Sequence, residues 1–241
     1  MHSHLFARGV RAVHFVSLFA ALAMLQSCAT MRQEHASSLQ NLGELKTALR
    51  EYHDSGRYEH DLAAVDARAA AYVHAHAHDA AKPALVLDID ETSLSNFEQL
   101  LADDFGYIES GPCDNLPKGP CGTLAYDALA RAAVIQPTLD LFNAAKREHV
   151  AVFFITGRHE AERDATARNL GNATYAAWDG LIMRPDGAHT ASAADYKAAQ
   201  RATLEAQGFT IIANVGDQPS DLAGGHAQQG FLLPNPYYRI P

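Results

Sequence analysis

Short apolar runs alternate with longer stretches of helical period along this chain. Ala84-Leu85-Val86-Leu87, Val150 to Ile155, Leu181-Ile182-Met183, Phe209 to Val215 and Gly230 to Leu233 are brief and partly β-branched. Strands buried on both faces of a parallel sheet read this way. Leu39, Leu42, Leu45 and Leu49 recur at three- and four-residue spacing, and an alanine-rich stretch follows from Leu62 to Val73. Residues 32 to about 79 therefore read as helical, broken at Ser55-Gly56. Pro137 opens another helix through Leu139, Leu141, Phe142 and Ala145, at a first turn where proline is tolerated. Glu160 to Leu170 is a further helix, and Asp195 to Gln207 another, closed by Gly208. Strands alternating with helices predict an α/β fold, a Rossmann-like parallel sheet with helices on both faces. Residues 94–135 carry helix-like and loop-like pieces but no core strand. They read as an insert that forms a small, mainly helical cap together with the N-terminal helices. Pro234 to Pro241 reads as an extended tail.

The first 27 residues look like a targeting signal. Arg8 and Arg11 supply a positive start, and the apolar run Phe15 to Leu25 is too short to span a bilayer. Leu25-Gln26-Ser27-Cys28 resembles the bacterial lipobox, whose cysteine is acylated, with an ordinary secretory signal as the alternative. Ala29 after that cysteine points, by the rule for such proteins, to the outer membrane. The expected organisation is a signal peptide at 1–27, an N-terminal helical segment at 28–82 contributing to the cap, and a core at 83–241 with its insert at about 94–135. Losing residues 1–27 removes two cations and no acid, so the net charge goes from -9 to -11. Such an acidic chain is a poor ligand for polyanionic nucleic acid. With Cys28 lipidated, Cys113 and Cys121 remain, flanking the Pro/Gly-rich segment Gly111 to Gly122. An oxidising envelope compartment permits a disulfide there; two free thiols or a metal pair are the alternatives. His74 and His78 are four apart on one helix, a spacing that can bind metal, but the alternation His74, His76, His78 equally suits a solvated helix end.

The candidate chemistry lies where the strands stop. Asp88 and Asp90 follow the first strand; continued extension would turn both to one side. Paired carboxylates rarely both ionise without a cation between them. Thr156-Gly157-Arg158 ends the second strand, where a hydroxyl and an open backbone suit a phosphate. Gly216-Asp217-Gln218-Pro219-Ser220-Asp221 ends the fourth. In a parallel sheet these ends share one edge. Lys197 is the only lysine between Thr156 and Asp217. Arg158 either contacts substrate or pairs with an acid. Phe97, Phe105, Tyr107 and Tyr126 of the insert either stack on a substrate base or fill a small cap core.

Asp88-Ile89-Asp90-Glu91-Thr92, then Thr156-Gly157-Arg158, then Lys197, then Gly216-Asp217 with Asp221 resembles the four-motif pattern of the haloacid dehalogenase-like (HAD) phosphatases. The finer texture is similar to the class B/C acid phosphatase branch, which includes bacterial lipoprotein acid phosphatases and plant vegetative storage proteins. The resemblance spans about residues 35–238. It implies Asp88 as the nucleophile that forms an aspartyl phosphate and Asp90 as general acid and base. It implies Thr156, Gly157 and Lys197 on the phosphoryl oxygens. It implies Mg²⁺ on Asp88, the backbone carbonyl of Asp90, and Asp217, with Asp221 supporting. Asp90 should then titrate above Asp88, giving an acid-side optimum. The implied activity is Mg²⁺-dependent hydrolysis of small phosphomonoesters, nucleoside 5′-monophosphates among them, at the periplasmic face of the outer membrane through a lipid anchor. The alternatives are a binding or storage lipoprotein on the same scaffold, a nutrient-binding lipoprotein, and a phosphotransferase. Retention of both Asp88 and Asp90 argues against a dead scaffold.

Overall fold

The computed structural model describes residues 39–187 and 192–240. The signal peptide and the lipobox cysteine Cys28 lie outside the described residues. No helix among the described residues is long and apolar enough to cross a membrane.

Among the described residues two helices come first, α1 (Leu42–Asp54) and α2 (Arg57–His76), parted at Gly56 as the Ser55-Gly56 break predicts. Next are β1 (Pro83–Leu87) and the insert, with β2 (Leu94–Ser95), α3 (Phe97–Ala102), α4 (Thr123–Leu129) and β3 (Ala133–Val134). Then come α5 (Gln136–Arg147), β4 (Ala151–His159), a 3-10 turn at Glu160–Glu162, α6 (Arg163–Asn172), β5 (Gly180–Arg184), α7 (Ala193–Ala206), β6 (Thr210–Gly216), the short α8 (Pro219–Leu222) and β7 (Gln229–Leu232). Gly208 sits at φ 87° just past α7, a conformation a side chain would strain.

The five main strands lie in the order β5-β4-β1-β6-β7, and every pairing is parallel. The chain builds outward from β1 to β4 and β5, then α7 carries it back to β6 on the other side of β1. Strand order therefore reverses at β1, and open α/β sheets bind ligands at the carboxyl ends flanking that point. Side-chain alternation explains the layers. Ala84 and Val86 of β1 join Phe153, Ile155, Tyr196 and Leu204 in one core cluster. Leu85 and Leu87 join Val152, Phe154 and the apolar residues of α2 and α5 in the other. Ile212 is the extra residue of a bulge opposite the Ala84/Leu85 step.

The N-terminal segment divides its work. On α1, Lys46 and Arg50 reach Asp104 of the insert, and the His53 ring stacks on Phe97. By contrast α2 packs on α5 and against β6 and β7, so it belongs to the layer over the sheet. Of the four insert aromatics, Tyr126 is buried, Phe97 and Phe105 cluster with Tyr237, and Tyr107 is exposed. The insert contains only the small β2-β3 ladder and no core strand. Cys113 and Cys121 form a disulfide within it. His74 and His78 both face Glu148 and are well exposed, which matches a solvated helix end.

One buried group carries a pH prediction. Asp66 on α2 accepts a hydrogen bond from Thr138 through Oδ2, while its buried Oδ1 has no hydrogen-bond partner. Burial pushes this carboxyl up to about 7. A folded-state value above the unfolded one means stability is lost as pH rises from about 4 to about 7. Asp66→Asn removes that loss, so its thermal midpoint relative to wild type should climb across this window. Thermal melts of both proteins at several pH values check this. A difference that does not change with pH would refute it.

Candidate active site

The polar ends of β1, β4 and β6 converge as the parallel register requires. The β1–β6 ladder extends one residue past β1, because the Asp88 amide donates to the Val215 carbonyl (3.0 Å). Asp88 is thus held level with the end of β6, one step from Asp217. Beyond it the chain turns sharply: the Ser93 hydroxyl donates to the Asp88 carbonyl (2.6 Å), and Glu91 adopts φ 51°. A non-glycine residue at positive φ stores strain, a feature that concentrates at functional loops.

Carboxylate oxygens of Asp88, Asp217 and Asp221 lie within 4.8 Å of one another, and all three residues are buried. Lys197 Nζ donates to Asp88 Oδ1 and to Asp221 Oδ1, both at 2.5 Å. Asp221 Oδ2 accepts the Gln218 amide at 2.8 Å, so both oxygens of Asp221 are engaged. The carboxyl of Asp221 also lies so close over Gly216 that a Cβ there would collide with it. Asp217 accepts from Thr92 Oγ1 (3.2 Å), Gln218 Nε2 (2.5 Å) and Asn235 Nδ2 (2.7 Å). Neither Gln218 nor Asn235 stands out in the sequence. The tail beyond Pro234 is not merely extended: Asn235 meets Asp217, and the Ile240 amide donates to Gln218 Oε1.

Electrostatics follow from burial. Asp88 is raised well above the carboxylate range, first by burial, then by Asp221, Asp217 and Asp90, with Lys197 opposing. Asp217 is pushed up to about 6 by burial and Asp221, against its hydrogen bonds from Asn235 and Gln218. Burial alone would lower Lys197, but Asp88 and Asp221 outweigh it and keep the ammonium charged. Three buried carboxylates, two of them bridged by one lysine, form a hard-oxygen donor set with excess negative charge. A divalent cation fits it, and among the described residues this is the one group that can hold a metal.

The Asp90 side chain goes elsewhere. Arg158 Nε lies 3.1 and 3.2 Å from its two oxygens and Arg158 Nη2 2.6 Å from Oδ1, while Asn96 Nδ2 donates to Oδ1 at 2.8 Å. Burial would raise Asp90, yet Arg158 and Asn96 outweigh it and hold the carboxyl below its ordinary range. The expected order of the pair is thereby reversed among the protein groups: Asp90 titrates low and Asp88 high. The reason is the guanidinium, which the linear spacing of Asp88 and Asp90 does not reveal. Of the two roles open to Arg158, the structure realises the acid pairing.

On β4, Thr156 is fully buried and its hydroxyl accepts the Arg158 amide at 3.1 Å. Gly157 is exposed, with open space where a Cβ would stand. Glu91, next to Asp90, is fully buried; it accepts the Tyr58 hydroxyl (3.0 Å) and the Asn96 amide (2.5 Å), and burial pushes it up to about 8.

Comparison with known proteins places this arrangement. The class C acid phosphatase of Bacillus anthracis superposes with a TM-score of 0.63 at 18% identity, over 82% of this chain and 86% of that one, which shows a shared fold. The Stem 28 kDa glycoprotein of Glycine max is 31% identical over 204 residues, covering 82% of this chain and 75% of its own length. Acid phosphatase 1 of Solanum lycopersicum is 33% identical over 156 residues; the match covers 64% of this chain and 58% of the tomato protein. The family model for HAD superfamily, subfamily IIIB (acid phosphatase), matches residues 17–241, so the chain belongs to that family.

Proposed function

We propose that this protein is a Mg²⁺-dependent acid phosphatase that hydrolyses phosphomonoesters through an aspartyl phosphate on Asp88. The observation that carries the reading is the buried group of Asp88, Asp217, Asp221 and Lys197 at the reversal point of the sheet. An Asp88 carboxylate oxygen attacks phosphorus, and the bond to the leaving alkoxide breaks as Asp90, whose carboxyl the arriving phosphate dianion raises against the hold of Arg158, gives that oxygen a proton. Asp90 then takes a proton from water, which cleaves the acyl phosphate and frees inorganic phosphate. Lys197 meets the phosphoryl oxygens while it restrains Asp88, and Thr156 and Gly157 meet them from β4. Mg²⁺ would be held by Asp88, Asp217 and the Asp90 backbone carbonyl, and when bound it offsets repulsion between the nucleophile and a phosphate dianion. Asp221, with both oxygens taken, keeps Lys197 in place. The segment Leu25 to Cys28 supports acylation of Cys28, and Ala29 after it supports anchoring at the periplasmic face of the outer membrane.

Purified protein should release phosphate from a panel of phosphomonoesters, nucleoside 5′-monophosphates included, when Mg²⁺ is present. EDTA should reduce release to background and added Mg²⁺ should restore it. No release from any member of the panel would refute the enzyme reading and favour a binding or storage role.

A further inference from the structure

Arg158 is 5% exposed and serves two carboxylates from different parts of the chain. One is Asp90, which the guanidinium grips through Nε and Nη2. The other is Asp127 on α4, in the inserted segment, whose Oδ1 lies 2.9 Å from Nη2. Asp127 Oδ1 accepts no hydrogen bond, so the contact is an ion pair alone. Asp127 is 4% exposed, and Arg158 is the only cation paired with it among the described residues. Thr166 on α6 takes Nη1 at 3.3 Å. A buried carboxylate is costly unless it is paired; burial, Asp90 and Glu162 raise Asp127, and the cation that opposes them is the one that touches Asp90.

We propose that Asp127 is a positioning residue for the reaction: it anchors Arg158, and Arg158 in turn sets the direction of the Asp90 carboxyl group. The inference rests on the reading of Asp90 as the group that protonates the leaving alkoxide. In that step the Asp88 oxygen–phosphorus bond forms, the phosphorus–alkoxide bond breaks, and the Asp90 proton moves to the departing oxygen to give a neutral alcohol. A donor must point at that oxygen within hydrogen-bond reach. The planar fork of arginine fixes a carboxylate in two dimensions, which lysine cannot do. A second carboxylate at the shared Nη2, with Thr166 on Nη1, keeps the fork from swinging. The insert thereby contributes to catalysis without touching phosphate.

Leaving groups of different basicity separate this role from simple support of the fold. The p-nitrophenolate of p-nitrophenyl phosphate departs without much protonation; the alkoxide of glycerol 1-phosphate needs it. For Asp127→Asn, kcat/KM on the alkyl ester should fall about 10-fold further than on the aryl ester, a part of what general acid catalysis supplies. KM should change little on either. Arg158→Lys, which keeps the charge but loses the fork, should show the same selective loss and serves if Asp127→Asn does not fold. Asp90→Asn is the control. Selective loss in Asp90→Asn with equal losses on both esters in Asp127→Asn and Arg158→Lys would overturn the inference alone. Equal losses in Asp90→Asn as well would overturn the acid role of Asp90 and the inference with it.

Discussion

Asp88→Asn is expected to abolish turnover while leaving the fold intact. The amide matches the carboxylate in shape but cannot attack phosphorus, so no acyl phosphate forms. Removal of a covalent nucleophile costs on the order of 10⁴-fold or more in rate. The fold should survive because Asp221 still holds Lys197 on its other side. In metal-free protein the variant should melt no lower than wild type at neutral pH. The reason is that Asp88 is raised by burial and by neighbouring carboxylates, and such a group costs stability once pH rises above its unfolded value. Phosphate release, thermal melts and mass spectrometry of the trapped phosphoenzyme measure the three effects. Near-normal turnover by folded Asp88→Asn would end the covalent mechanism.

Lys197→Met should be nearly as damaging, and for two separable reasons. The ammonium stands 2.5 Å from an oxygen of Asp88 and 2.5 Å from one of Asp221. In the proposed mechanism its loss removes a positive charge from the phosphoryl oxygens, and activity should fall at least about 10²-fold, as when one transition-state donor is deleted. It also leaves two buried carboxylates facing each other. Breaking a buried pair costs about 3–5 kcal/mol, so the variant should melt lower at neutral pH. The deficit should shrink as pH falls and Asp88 takes up a proton, because burial already raises that carboxyl and the opposing Lys197 is gone. Added Mg²⁺ should raise its melting point by binding only the folded site. A loss of activity below about tenfold with unchanged KM would remove Lys197 from the transition state.

Much of the candidate site was readable because its polar groups sit where local pattern changes. Asp88, Thr156 and Asp217 each stand where an apolar run gives way to a polar one. Once the runs are taken as parallel strands, their ends must share an edge. Lys197 stood out by scarcity and is found bridging Asp88 and Asp221. The Cys113–Cys121 disulfide was one of three readings, which composition alone could not separate. Other parts were not readable, because their partners are distant in the chain and lack a local signature. Arg158 finds Asp127 only because the insert folds down as α4 beside α6. Asn235 reaches Asp217 because the tail turns back across the end of β6. Tyr58 meets Glu91 because α2 lies along the sheet.

The sequence by itself determined the layering: short apolar runs must be buried, helical stretches must cover them, and polar strand ends must converge on one edge. Tertiary structure alone decided how charge is shared there. Spacing says that Asp88 and Asp90 are neighbours, but not that one faces an ammonium and the other a guanidinium. Which cation a buried carboxylate meets depends on how helices and insert pack around it. That choice, through Coulomb interaction in a poorly solvated interior, sets the protonation of each acid.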